Sequence, residues 1–233
     1  MTTHSLIKCF SILALLTGCN LKSADDYLLE SNSLASKDKF KEAISVLNKA
    51  IEKYPKFREA YLNRGVYCEE LKDFNSAIKS YQDLLKIDDK NTAALYYIGN
   101  CKSELNLFQD AIDFYIKALQ TKGYSLENDT SGKTNFIINW NKNGIVKNAK
   151  FDILSTEIFY QRGLAYYQLD KLRSAVKDFS YCLKEYFHVS DCHYMIALCY
   201  LESGNKVKGC SELDKAIFYG DTLARKKKQE VCN

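Results

Sequence analysis

The sequence predicts an all-α chain of about five stacked helix pairs, closed by a short C-terminal helix and interrupted by a β-hairpin after the third pair. Three observations predict it. A 34-residue period places a small residue before an apolar one at Ala43-Ile44, Ala77-Ile78 and Ala111-Ile112. One proline and ten glycines among 233 residues suit a chain that is almost wholly helix. One stretch breaks the period and carries Asn143-Gly144, a strong short signal for a hairpin because both turn residues must take positive φ.

The N-terminus reads as an address rather than as fold. Lys8 supplies a positive charge, and Cys9 to Leu16 is an apolar run too short to span a bilayer. It ends in Leu16-Thr17-Gly18-Cys19, which resembles the lipobox of bacterial lipoproteins. That resemblance implies a signal peptide over 1–18, lipidation of Cys19 and a linker over 19–23. Asn20 after the cysteine leans toward the outer membrane. Asp25 and Asp26 are read as first-turn acids of the first helix.

The period then continues. The fourth Ala-apolar pair, Ala175-Val176, is delayed by the insertion, and Gly209-Cys210 follows 34 residues later. About seventeen residues upstream of each pair lies a second signature: Tyr61-x-x-Arg64-Gly65, Leu95-x-x-Ile98-Gly99, Phe159-x-x-Arg162-Gly163 and His193-x-x-Ile196-Ala197, with the looser Tyr27-x-x-Glu30-Ser31 in the first unit. Ala50, Leu84, Ala118, Cys182 and Ala216 recur seven residues after the small residue, and Pro55 ends the first unit.

This pattern resembles the tetratricopeptide repeat (TPR). The units are 24–57, 58–91, 92–125, 156–189 and 190–223, with 224–233 as a capping helix. The resemblance implies a right-handed superhelical solenoid. Small residues let paired backbones approach, large ones such as Tyr81, Tyr115 and Phe179 fill the seams, and stacking buries faces that no unit could bury alone.

The insertion spans 126–155. Pairing strands across Asn143-Gly144 puts Phe136, Ile138, Trp140, Ala149 and Phe151 on one apolar face. A two-stranded hairpin is marginal by itself, so this face is expected to pack on the solenoid. It is either a partner-binding arm or lid, or a decoration of the fold.

Seven cysteines follow Cys19. Cys68, Cys101, Cys182 and Cys199 fall at core positions and read as small buried hydrophobes. The run Gly209-Cys210, Lys215-Ala216, Gly220-Asp221 and Cys232 resembles the ending of many bacterial repeat proteins of this type, which implies a Cys210–Cys232 disulfide. Cys182, His188, Cys192, His193 and Cys199 lack CxxC or HxxxH spacing, so no metal site and no cofactor are expected.

A net charge of +4 spread along the chain argues against nucleic acid, and Arg225-Lys226-Lys227-Lys228 reads as a solvated helix face. No glycine-rich phosphate loop, HExxH or GxSxG is present, so neither catalytic residues nor a small-molecule substrate is inferred. The resemblance implies that the first helix of each pair lines a concave surface. On that register the partner-binding residues are Leu62, Val66, Tyr96, Asn100, Tyr160, Leu164, Tyr167, Tyr194 and Leu198, with Glu69 and Glu104 beside them. Co-chaperones of this family grip a carboxylate, but Leu28, Asn32, Asn63, Ala93 and Tyr97 hold those positions here and only the asparagines fit. The expected function is a non-catalytic scaffold for a protein or peptide partner, lipid-anchored in the bacterial envelope. The alternatives are an accessory subunit of an envelope enzyme or assembly complex, a hydrolase site completed by the insertion, and a structural protein that dimerises through the hairpin or a spare thiol.

Overall fold

The computed structural model describes residues 22–123 and 153–232. The expected signal peptide, Cys19 and the expected hairpin around Asn143-Gly144 lie outside the described residues. Within them every regular element is a helix: α1 (Ala24–Ala35), α2 (Phe40–Lys53), α3 (Arg58–Glu70), α4 (Phe74–Leu85), α5 (Thr92–Glu104), α6 (Phe108–Thr121), α7 (Ser155–Gln168), α8 (Leu172–Lys184), α9 (Val189–Glu202), α10 (Lys206–Phe218) and α11 (Thr222–Val231). Each helix packs on the next, and α1 and α5 also touch α3 and α7 respectively. The result is a row of five helix pairs, with α11 covering the last.

Local chemistry sets the boundaries. Ser23 and Asp26 form a reciprocal capping box at the start of α1: Ser23 Oγ accepts from the Asp26 amide, and Asp26 accepts from the Ser23 amide at 2.9 Å. Asp26 is therefore a helix-start acid, held below the usual carboxylate range by that backbone donor. Asp73, Asn91, Asn205 and Asp221 cap α4, α5, α10 and α11 through side-chain oxygens. The turn inside each pair uses one left-handed residue at a fixed register position: Asp38, Lys72, Asn106, Asp170 and Gly204. Asp and Asn tolerate that conformation by bonding locally, and Gly carries no Cβ to clash.

The seams are filled as the repeat pattern requires. Tyr81, Tyr115, Phe159 and Phe179 are fully buried. Gly65 and Gly99 lie directly under the rings of Tyr81 and Tyr115; a Cβ on Gly99 would stand 2.5 Å from Tyr115 Cε1. In the first pair, Ser31 takes the crossing position and is buried with its hydroxyl donated to the Leu28 carbonyl at 2.8 Å. In the fourth, Arg162 donates twice to buried Asp178 at 2.8 Å, locking α7 to α8. Cys210 and Cys232 are disulfide-bonded, joining α10 to the end of α11, with Cα atoms 5.9 Å apart. Cys68, Cys101, Cys182, Cys192 and Cys199 are free thiols, all buried.

Candidate partner-binding site

The first helices of the pairs, α1, α3, α5, α7 and α9, are tied to their neighbours by tyrosine hydroxyls. Tyr67 Oη donates to Asn32 Oδ1 at 2.6 Å, joining α3 to α1. Tyr96 Oη donates to Glu157 Oε1 at 2.9 Å, joining α5 to α7. Tyr167 Oη donates to Glu202 Oε1, joining α7 to α9. Two further bonds run inside pairs: Tyr81 Oη to Glu69, and Tyr115 Oη to Asn100 Oδ1 at 2.8 Å. A buried hydroxyl without an acceptor costs about 1–3 kcal/mol, so these partners fix the row of helices as well as lining it.

A cleft of about 270 Å³ opens on this row, between α3, α5 and α7. Its walls are Glu69 and Glu70 from the end of α3, Asn100, Ser103 and Glu104 from α5, and Gln161 from α7. Lys72 and Phe74 stand at the turn. Burial raises the pKa of Glu69, against the hydrogen bond from Tyr81 that lowers it. The lining is polar, hydrogen-bonding and open on one side. Among the described residues no group of three or more His, Cys, Asp or Glu could hold a metal ion.

Each residue expected on the concave lining can now be placed. Asn100 lines the cleft. Val66, Leu164 and Leu198 are half-buried on the same helices. Tyr160 is half-buried and stacks on His188 with ring centroids 5.0 Å apart. Tyr167 is spent on Glu202, and Tyr194 is half-buried with its pKa raised chiefly by burial. Two of the expected lining residues are nearly covered. Leu62 and Tyr96, at 8% and 5% exposure, are core residues rather than open lining. Both belong to the main core cluster, and the Tyr96 ring packs against Tyr97 and Tyr115.

Glu70, Ser103 and Gln161 were missed by periodic reading, and Glu157 with them. For Glu70 a signal was available: Glu70, Glu104 and Glu202 share the thirteenth position of their units, where α3, α5 and α9 end.

Comparison with known proteins agrees with this architecture. Residues 28–92 match the sequence model of the tetratricopeptide repeat. YrrB, described as a TPR protein with an unusual peptide-binding site, superposes with a TM-score of 0.65 at 20% identity, covering 92% of this chain and 95% of its own. MamA of Desulfovibrio magneticus RS-1 gives 0.65 at 13% identity, covering 83% and 93%. A curated relative from Solanum lycopersicum, named "Probable UDP-N-acetylglucosamine--peptide N-acetylglucosaminyltransferase SPINDLY", is 26% identical over 95 residues. That stretch is 41% of this chain, which spans only a tenth of the length of that relative. Residues 28–92 thus carry the tetratricopeptide-repeat signature, and the other described residues share the same helix-pair fold.

Proposed function

We propose that this protein is a non-catalytic interaction scaffold, anchored to the bacterial cell envelope by a lipid on Cys19, that holds a protein or peptide partner on the face formed by its first helices. The observation that carries the binding reading is the cleft between α3, α5 and α7, where three successive repeats converge polar side chains on one open space. A site assembled from several repeats reads an extended or helical partner along its length, which suits a solenoid. YrrB, with the same fold, is described as having a peptide-binding site. The anchor rests on Leu16-Thr17-Gly18-Cys19 after a short apolar run. Residues 20–23, ahead of α1, are then the whole tether, about 14 Å when extended, so the partner belongs to the same membrane or to an assembly upon it.

Two measurements test this. Metabolic labelling with an alkyne fatty acid should mark the wild type and not Cys19→Ser; equal labelling would remove the anchor. Affinity capture from detergent-solubilised membranes should recover a partner with the wild type and lose it with Tyr160→Ala/Tyr194→Ala, provided both proteins melt alike. Equal recovery from both would remove the groove.

A further inference from the structure

The partner's chemistry can be narrowed by charge. The chain carries a net +4, yet five positions of its first helices carry none of the bases. Numbering each unit from its first residue, the second, fifth, ninth, twelfth and thirteenth positions of the first helices hold no lysine or arginine in any of the five units. Four of the five second positions are acids: Asp25, Glu59, Glu157 and Asp191. Three of the five thirteenth positions are acids: Glu70, Glu104 and Glu202.

The two sets have different physical standing. Second-position acids sit in first turns, where the helix dipole favours negative charge, so helix formation alone explains them. The thirteenth-position acids do not have that excuse. Glu70, Glu104 and Glu202 are the terminal residues of α3, α5 and α9, where the dipole disfavours an acid and favours a base. A local rule broken at one register position in three units points to a use outside the helix. Two of the three, Glu70 and Glu104, are exposed and face the same cleft, beside the desolvated carboxylate of Glu69. Among the described residues the only base on the cleft wall is Lys72, at the turn, with its ammonium 5.8 Å from the Phe74 ring. Lys102 on α5 is turned to Asp110 at 3.0 Å.

We infer that the occupant of this face is a polypeptide segment bearing lysine or arginine side chains, seated with a cationic group between Glu70 and Glu104 and its apolar side chains along Val66 and Leu164. This rests on the groove reading above and adds the sign of the ligand's charge. Arginine suits the cleft well, because its planar donors match several carboxylate and amide oxygens at once.

The test uses the full chain in non-ionic detergent and three fluorescein-labelled peptides of about twelve residues, an ~18 Å helix. The peptides share their leucines and differ in one residue type: arginine, glutamine or glutamate. Anisotropy should rank arginine above glutamine above glutamate. Glu70→Gln/Glu104→Gln, which keeps the shape of two exposed side chains, should weaken the arginine peptide about tenfold and leave the glutamine peptide unchanged. Raising the salt from about 0.05 to 0.5 M should do the same, because screening weakens exposed pairs. If arginine and glutamine peptides bind alike and Tyr160→Ala/Tyr194→Ala weakens both, the groove stands and the charge assignment falls. An arginine preference untouched by Glu70→Gln/Glu104→Gln also overturns the assignment. If no peptide binds in a manner that either set of substitutions alters, the groove reading falls with it.

Discussion

Tyr96 and Glu157 are 61 residues apart in the chain and joined by a 2.9 Å hydrogen bond. The bond ties the third helix pair to the fourth across the inserted segment, so the solenoid continues past the break in its sequence period. Tyr96 is buried, and both burial and the adjacent carboxylate favour its neutral, donating form. Tyr96→Phe keeps the ring and removes the donor, leaving the Glu157 carboxylate short of one partner. The expected loss is about 1.5–3 kcal/mol, the usual worth of a hydrogen bond to a charged group. A double-mutant cycle with Glu157→Gln should show coupling. Strict additivity of the two substitutions would mean that the bond does not hold the pairs together.

The repeat geometry makes a second prediction. Gly99 passes under the Tyr115 ring, where an added methyl would sit 2.5 Å from Cε1. Tyr115 cannot swing away cheaply: it is fully buried and its hydroxyl is held by Asn100. Gly99→Ala should therefore destabilise by about 1–3 kcal/mol despite the better helix propensity of alanine. Tyr115→Leu creates room at the same spot, so Gly99→Ala/Tyr115→Leu should lose clearly less than the sum of the single losses. Calorimetric melts of the four proteins decide it.

These two contacts also mark how far the sequence could be read. Gly99 and Tyr115 were legible because close approach leaves a composition signal: a small residue and a ring sixteen positions apart, repeated at Gly65 and Tyr81. Helix-start acids such as Asp26 were legible because capping is local. Tyr96 and Leu62 were not, because whether a first-helix residue lines the trough or is covered depends on how far adjacent units rotate. Periodicity does not encode that rotation; the Tyr96–Glu157 bond does, and its partners belong to units separated by the insertion. Glu70 escaped because a periodic reading weighs apolar positions, whereas its meaning comes from standing at the wrong end of a helix dipole.

Glu69 gives a prediction about pH. Burial raises its pKa, and the Tyr81 hydroxyl only partly offsets this. A carboxyl with a folded-state pKa above its unfolded one contributes stability that is fully present below the unfolded value and is lost as pH rises through the folded one. Glu69→Gln keeps an acceptor for Tyr81 and removes the titration. The wild type should compare worst with Glu69→Gln at neutral pH. It should gain on the variant as pH falls through the raised value, and level off below the ordinary glutamate range. Urea melts of both proteins between about pH 7.5 and 4 would show this. A gap that widens on acidification in favour of the variant would contradict it.

The cysteines divide the molecule into a stapled end and a sealed interior. Cys210 and Cys232 are separated by 22 residues and bonded. In the chain-entropy picture, closing a loop of that length stabilises by about 3 kcal/mol. Because α11 contacts α10 within the cap, the loss in Cys232→Ser should fall on the last pair, where Leu213, Ala216 and Ala224 are buried together. Hydrogen exchange should quicken in α10 and α11 and stay unchanged in α3 to α6. The five other thiols should behave differently. All are buried, and burial pushes Cys68 up and takes Cys199 up to about 12, while contact with Cys192 and burial raise Cys182. Thiolate is the reactive form, so Cys68, Cys101, Cys182 and Cys199 are both inaccessible and protonated, and Cys192 is inaccessible. An aromatic disulfide reagent should therefore find none of these seven cysteines in the native chain. It should find Cys210 and Cys232 after mild reduction, and all seven only once a denaturant is added to the reduced protein. Rapid labelling of Cys68 or Cys199 in the unreduced native chain would mean that the helix pairs open far more readily than their packing allows.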